Sequence, residues 1–170
     1  VLANGRRLYI AEGRPPPALV AETLRNLREI APTMYFNVPT GFEAIANAMK
    51  TDDALRRNFL SRVKMFFYAG ASLAQPVWDS LFESAERELG ERIVMTCGFG
   101  MTESSPYGLF PSSHEIKAGE LGLPTPGMEC KLVPIDGKTE LRYRGPNITP
   151  GYWRAPEATA EAFDDEGFFR

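Results

Sequence analysis

Up to about residue 105 the apolar positions follow two alternating rhythms, one helical and one of short unbroken runs. Leu8 to Ala11 reads as a short strand beside a tight-turn pair at Asn4-Gly5. Leu19, Val20, Leu24, Leu27 and Ile30 recur at helical spacing and predict an amphipathic helix over 18–31. Pro15-Pro16-Pro17 suits its entry and Pro32 ends it. Met34 to Val38 is short, apolar and aromatic, the pattern of a buried strand. Phe42 to Met49 continues as helix, and Asp52-Asp53 caps a further one through Leu55 and Phe59-Leu60. Val63 to Tyr68 is a second buried-strand run, closed by four small residues, Ala69-Gly70-Ala71-Ser72. Pro76 opens a helix carrying Val77, Trp78, Leu81, Phe82, Ala85 and Leu89, stopped by Gly90. Ile93 to Thr96 is a third run, followed by Cys97-Gly98-Phe99-Gly100. This alternation predicts an α/β fold, a parallel sheet with flanking helices.

Past residue 105 the helical period fades, and Gly and Pro become frequent. Met128 to Pro134 and Thr139 to Tyr143 alternate like strands around Asp136-Gly137, a hairpin signal. Pro156 to Phe163 reads as a short helix with Pro at its first position. A boundary near 106–120 therefore separates an α/β subdomain over 1–110 from a smaller, mostly β subdomain over 111–170. The adjacent Phe168 and Phe169 belong inside a packed element, and together with a start at Val1 they suggest a piece of a longer protein.

Composition narrows the function. The 170 residues carry 19 Lys+Arg against 22 Asp+Glu, a net charge of −3 that argues against nucleic-acid binding by bulk positive charge. With 44% hydrophobic and 24% charged residues the chain is globular rather than disordered. It contains no apolar run long enough to span a membrane. Cys97 and Cys130 cannot form a disulfide framework, and no Cys/His spacing suggests zinc, so a reducing cytoplasm is the expected setting.

Two loops carry candidate chemistry. In open α/β sheets, ligands bind beyond the carboxyl ends of strands. Gly98-Phe99-Gly100-Met101-Thr102-Glu103 comes directly after a strand. Its glycines let backbone N–H groups approach a ligand, Thr102 offers a hydroxyl to an anion, and Glu103 offers a hard oxygen to magnesium. A dinucleotide fingerprint needs a third glycine where Glu103 stands, which counts against a nicotinamide dehydrogenase. The plain alternative is a tight turn with Thr102 as a helix cap and Glu103 in the first turn. Ala69-Gly70-Ala71-Ser72 leaves room for a planar ligand, or is simply a small-residue turn. The segment from Arg144-Gly145-Pro146 through Gly151-Tyr152-Trp153 shows no acid, base or nucleophile arrangement, and reads as structural, with Tyr152 and Trp153 for packing. His114 reads as a solvated loop residue and Cys97 as a small buried hydrophobe.

In order, these segments resemble the adenylate-forming superfamily of acyl-CoA synthetases, aryl-CoA ligases and luciferases, and most of all the feruloyl-CoA synthases. Phe99-Gly100-Met101-Thr102-Glu103 is similar to the family's aromatic-Gly-x-Thr-Glu signature. Ala69-Gly70-Ala71-Ser72-Leu73 resembles the adenine loop, and Gly122-Leu123-Pro124-Thr125-Pro126-Gly127 the Gly-x-Pro-x-Pro-Gly stretch. Arg144-Gly145-Pro146, Gly151-Tyr152-Trp153 and Pro156-Glu157-Ala158-Thr159 complete the series. The resemblance covers essentially the whole chain. It implies a large N-terminal domain fold and an enzyme that activates a small aromatic or acyl carboxylate with ATP and magnesium, then transfers the acyl group to coenzyme A.

By that resemblance Thr102 and Glu103 are catalytic, Thr102 at the phosphate and Glu103 at the magnesium. Phe99 packs on adenine. Gly70, Ala71, Ser72, Cys97, Gly98, Gly100 and Met101 complete the ATP- and AMP-binding loops, and Ala71, Gly98, Pro106 and Tyr107 face the acid. The adenine loop lacks the family's usual proline, and Phe99 replaces the commoner tyrosine. The resemblance further implies that the Ser/Thr/Gly-rich phosphate loop lies upstream, that the ribose-binding aspartate comes after Arg170, and that the C-terminal domain with its lysine is outside this chain. The isolated piece is then expected to be inactive and to self-associate through exposed surfaces. A medium-chain fatty acid is the alternative substrate, and a non-catalytic nucleotide-binding or scaffold module the alternative role.

Overall fold

The fold is that of a computed structural model, which describes residues 2–13, 20–111 and 116–170. Pro15, Pro16, Pro17 and His114 lie outside the described residues. The chain divides into two compact units, Val1–Thr96 with Lys117–Gly119, and Cys97–Ile116 with Glu120–Arg170. The change of unit falls at 96/97, ahead of the glycine loop, whereas the change of sequence character falls near 106–120. The physical reason is backbone pairing: Phe99 N–H donates to the Leu109 carbonyl at 3.1 Å, and Leu109 N–H donates back at 3.0 Å. That exchange ties the glycine loop to the strand at Leu109 and so to the second unit.

In the first unit, α1 (Val20–Glu29), α2 (Pro39–Met49), α3 (Asp53–Leu60) and α4 (Gln75–Leu89) accompany strands β1 (Met34–Asn37), β2 (Met65–Tyr68) and β3 (Val94–Cys97). The strands form one sheet in the order β1-β2-β3, with β1 and β2 parallel. This is the expected α/β layer. The ends of the elements obey local chemistry. Asp52 accepts the Leu55 N–H at 2.9 Å as the cap of α3, and Gly90 closes α4 in the left-handed conformation at φ 71°. Phe42, Ile45, Leu55, Phe59, Phe66 and Leu81 are fully buried. Phe59 stacks on Phe66 at 5.4 Å while Tyr35 meets Phe59 edge-on at 5.0 Å. Burial pushes the Tyr35 hydroxyl up to about 12, against the opposing effect of its bond with Asn37.

Two expectations fail in this unit. Residues 8–11 form no strand: Leu8, Tyr9 and Ile10 are exposed, and they line one cleft of about 1110 Å³ with α1 and β1 residues instead of pairing. The strand at Met34–Asn37 is also not buried on both faces. As an edge strand it alternates, with Tyr35 turned inward and Phe36 55% exposed. The aromatic run looked like a buried strand because composition does not reveal a missing neighbour.

In the second unit, β4 (Leu109–Phe110) pairs with β5 (Leu123–Pro124), and β6 (Glu129–Ile135) pairs with β7 (Lys138–Arg144), both antiparallel. Asp136 and Gly137 turn the hairpin with φ 49° and 73°, as a two-residue loop requires. The short α5 (Pro156–Ala162) comes last. Phe168 and Phe169 are buried within this unit, and Phe169 exchanges two backbone bonds with Tyr143 on β7. The Tyr143 ring fills the space beside Gly108, where a Cβ would lie 2.1 Å from Cε1. Its buried hydroxyl, without a hydrogen-bond partner among the described residues, is pushed up to about 12 by burial.

A buried ion cluster stabilises this end. Asp164 accepts from Lys131 Nζ and Arg142 Nη1, each at 2.8 Å, and from Phe168 N–H at 2.9 Å. Asp164, Asp165 and Glu166 bring three carboxylates within 4.8 Å, and two of them are already paired, Asp164 with Lys131 and Arg142 and Glu166 with Lys131. The Lys131 hydrogen bond, with further help from Arg142 and the Phe168 N–H, holds the Asp164 carboxyl well below the usual carboxylate range despite its burial. A depressed folded value contributes stability that is present above the unfolded value of about 4 and lost as pH falls toward the folded one. Asp164→Asn is therefore expected to lower the thermal midpoint at pH 7, with its deficit against wild type shrinking below about pH 4. Melting curves recorded from pH 7 to pH 3 test this, and a pH-independent gap would refute it.

Candidate functional site

The glycine loop leaves the carboxyl end of β3 and turns sharply. Thr102–Ser104 form a single 3-10 turn, with extended Met101 before it and Ser105 in the left-handed region after it at φ 47°. The helix that Thr102 was expected to cap is only this turn, because Ser104 intervenes. Its buried hydroxyl accepts the Met101 N–H at 3.0 Å and reaches the Met101 and Pro106 carbonyls at 3.0 Å each. Ser105-Pro106 is a cis peptide.

The glycines are needed for close approach. A Cβ on Gly100 would lie 2.2 Å from the Pro106 carbonyl oxygen and 2.6 Å from the Tyr107 Cα. A Cβ on Gly98 would lie 2.4 Å from the Tyr107 ring. The space beside Gly98 is thus filled by the chain's own aromatic side chain. Tyr107 is half-buried and lies tilted on Phe110 at 5.7 Å, which makes it a wall.

The polar groups project from this scaffold. Thr102 is exposed, with its hydroxyl bonded to no described residue. Phe99 is 41% exposed. Glu103 is half-buried, and no Lys or Arg among the described residues pairs with it. A carboxylate drawn partly out of water with no cation beside it fits a divalent metal, which takes hard oxygen ligands. Pro106 is exposed after the cis bond, Met101 packs on the Leu109–Met128–Tyr143 cluster, and Cys97 is buried with its thiol 3.6 Å from the Glu120 carbonyl.

A distant segment of the same unit holds this loop. Asn147 Nδ2 donates to the Ser104 carbonyl at 2.6 Å and to the Tyr107 carbonyl at 3.1 Å. Thr149 N–H donates to the Glu103 carbonyl at 2.8 Å, and the Tyr152 hydroxyl donates to Glu103 Oε1 at 3.0 Å. Sequence reasoning missed all three. It assigned Tyr152 and Trp153 to packing, yet Trp153 is 87% exposed with Arg154 at 5.6 Å from its ring, and Tyr152 meets Glu103 through its hydroxyl. No linear signal marks them, since they lie 40 to 49 residues from their partners.

Gly70, Ala71 and Ser72 belong to the other unit and are exposed at the end of β2. Gly70 has φ 91°, and a Cβ there would meet only Val38 Cγ1 at 3.8 Å, so the loop is open on that side. The structure thus gathers Gly98, Phe99, Gly100, Met101, Thr102, Glu103, Pro106 and Tyr107 in one unit with Asn147, Thr149 and Tyr152, and leaves the small-residue loop in the other.

Residues 1–153 match the family described as AMP-binding enzyme. The chain belongs to the AMP-binding enzyme family. It is 32% identical over 146 residues to the probable CoA ligase CCL8 of Humulus lupulus, covering 82% of this chain and 23% of that relative. It is 31% identical over 168 residues to the anthranilate–CoA ligase of Pseudomonas aeruginosa, covering 94% of this chain and 29% of that relative. Among solved structures, a malonyl-CoA ligase ternary product complex with methylmalonyl-CoA and AMP superimposes with a TM-score of 0.63 at 33% identity, covering 89% of this chain and 32% of that one. The chain therefore spans roughly a quarter to a third of the length of each of these proteins. Its α/β layer is part of the adenylating-enzyme N-terminal fold. No helix among the described residues is long and apolar enough to cross a membrane.

Proposed function

We propose that this chain is the acid- and nucleotide-activating segment of an ATP-dependent acyl- or aryl-CoA ligase. In that reaction a carboxylate oxygen attacks the α-phosphorus of ATP, a new P–O bond forms, and the bond to pyrophosphate breaks. The thiolate of coenzyme A then attacks the acyl carbonyl, and AMP leaves. The observation that carries this reading is Glu103, a half-buried carboxylate with no Lys or Arg partner among the described residues, set on a glycine loop at a strand end beside the exposed Thr102. A magnesium ion held by Glu103 would neutralise phosphate charge during the attack. Thr102 donates to a phosphate oxygen, Phe99 offers its face to adenine, and Gly70, Ala71 and Ser72 serve the adenine loop. Cys97, Gly98, Gly100 and Met101 shape the nucleotide loop from behind. A substrate set of ATP and coenzyme A suits the cytoplasm.

For the acid we favour an aromatic carboxylate, with ferulate first. Support comes from Tyr107, whose ring forms a flat wall against Gly98, and from the exposed Pro106 beside it. A panel of ferulate, anthranilate, malonate and a medium-chain fatty acid, read by pyrophosphate release from the full-length enzyme, tests this. Ferulate is expected to give the highest kcat/KM. A higher value for malonate or the fatty acid overturns the aromatic reading, and no release with any acid overturns the adenylation reading.

A further inference from the structure

Tyr152 is tied down on both sides although it is partly open to solvent. Its own N–H donates to the Thr159 hydroxyl at 2.9 Å, and Thr149 Oγ1 donates to the preceding Gly151 carbonyl at 3.0 Å. Gly151 must be glycine for this course: its φ is 143°, and a Cβ would lie 2.4 Å from Thr159 Cγ2. The same Thr149 fixes the Glu103 backbone through its N–H. The backbones at both ends of the Tyr152–Glu103 hydrogen bond are therefore anchored to one short segment, which fixes the positions from which the two side chains meet. The contact uses the hydroxyl, while the residue stays 40% exposed, so packing alone does not explain it. The neighbouring Arg154 lies over Trp153.

We propose that Tyr152 is a positioning residue: its hydroxyl fixes Glu103 Oε1 and so leaves the second carboxylate oxygen as a pre-oriented ligand for a nucleotide-borne divalent cation. The inference rests on the reading of Glu103 as the metal carboxylate. Partners that orient a metal ligand from behind contribute to affinity without touching the ion.

The test compares Tyr152→Phe with Glu103→Gln in the full-length enzyme. Binding of a Mn2+ complex of a non-hydrolysable ATP analogue is monitored by electron paramagnetic resonance. Tyr152→Phe keeps the ring and is expected to weaken binding on the order of tenfold. Its thermal midpoint should be unchanged, and its KM for Mg2+ should rise while the rate at saturating Mg2+ stays near wild type. Glu103→Gln should weaken binding at least as much. Wild-type affinity in Tyr152→Phe beside weakened Glu103→Gln overturns the positioning role alone. Wild-type affinity in Glu103→Gln overturns the metal reading and the inference with it.

Discussion

Glu103→Gln in the full-length enzyme is expected to lower the rate of acyl-adenylate formation on the order of 10²-fold or more, the scale of losing one well-placed electrostatic stabiliser. The substitution removes the charge and almost nothing else. A glutamine keeps an oxygen that can accept from the Tyr152 hydroxyl, and the Thr149 bond is to the backbone carbonyl. The 3-10 turn and the Ser104 bonds beneath it also stay. The fold should therefore melt as wild type while pyrophosphate release falls, with most of the loss in the metal-dependent step. Rapid-quench measurement of adenylate formation at several Mg2+ concentrations separates the two. An unchanged rate would mean that Glu103 does not serve the chemistry, and would favour a non-catalytic nucleotide-binding module of the same fold.

The second large effect is expected at Gly100. Its backbone is not in the left-handed region, so the constraint is space alone. A methyl group there meets the Pro106 carbonyl oxygen at 2.2 Å, the Ser104 hydroxyl at 2.5 Å and the Tyr107 Cα at 2.6 Å. Two of these are backbone atoms, in a loop that Asn147 also holds from the other side. Gly100→Ala must therefore displace the turn that carries Thr102 and Glu103. Overpacking of this kind costs about 1–3 kcal/mol in stability. A displacement of about 1 Å at reacting groups lowers the rate on the order of 10²-fold. Gly90→Ala is the control. Nothing lies within 4 Å of a Cβ there, and the left-handed cap costs roughly 1 kcal/mol with no reason for a rate effect. Gly100→Ala with wild-type activity would show that the loop relaxes freely.

The helices and sheet strands were legible because they are written locally. Leu24, Leu27 and Ile30 mark one helix face by spacing alone, and Asp52 and Gly90 punctuate their elements through their own backbones. The strand expected at 8–11 failed for want of a partner, and the run at Met34–Asn37 hid its edge position. Neither pairing is a property of the segment itself. Cys97 was legible as a small buried residue, whereas the outward course of Trp153 was not, because nothing in its neighbours records which way the turn faces.

The sequence by itself determined the strand-then-glycine loop, the hydroxyl at Thr102, the carboxylate at Glu103 and the family to which they belong. Periodicity, turn chemistry and motif order are carried by adjacent residues. The tertiary structure alone decided that Gly98 is occupied by Tyr107, that Gly100 can bear no side chain, and that Asn147, Thr149 and Tyr152 clamp the loop. The physical reason is that these depend on hydrogen bonds and steric contacts with groups as far as 49 residues away, whose meeting is set by how the second unit packs.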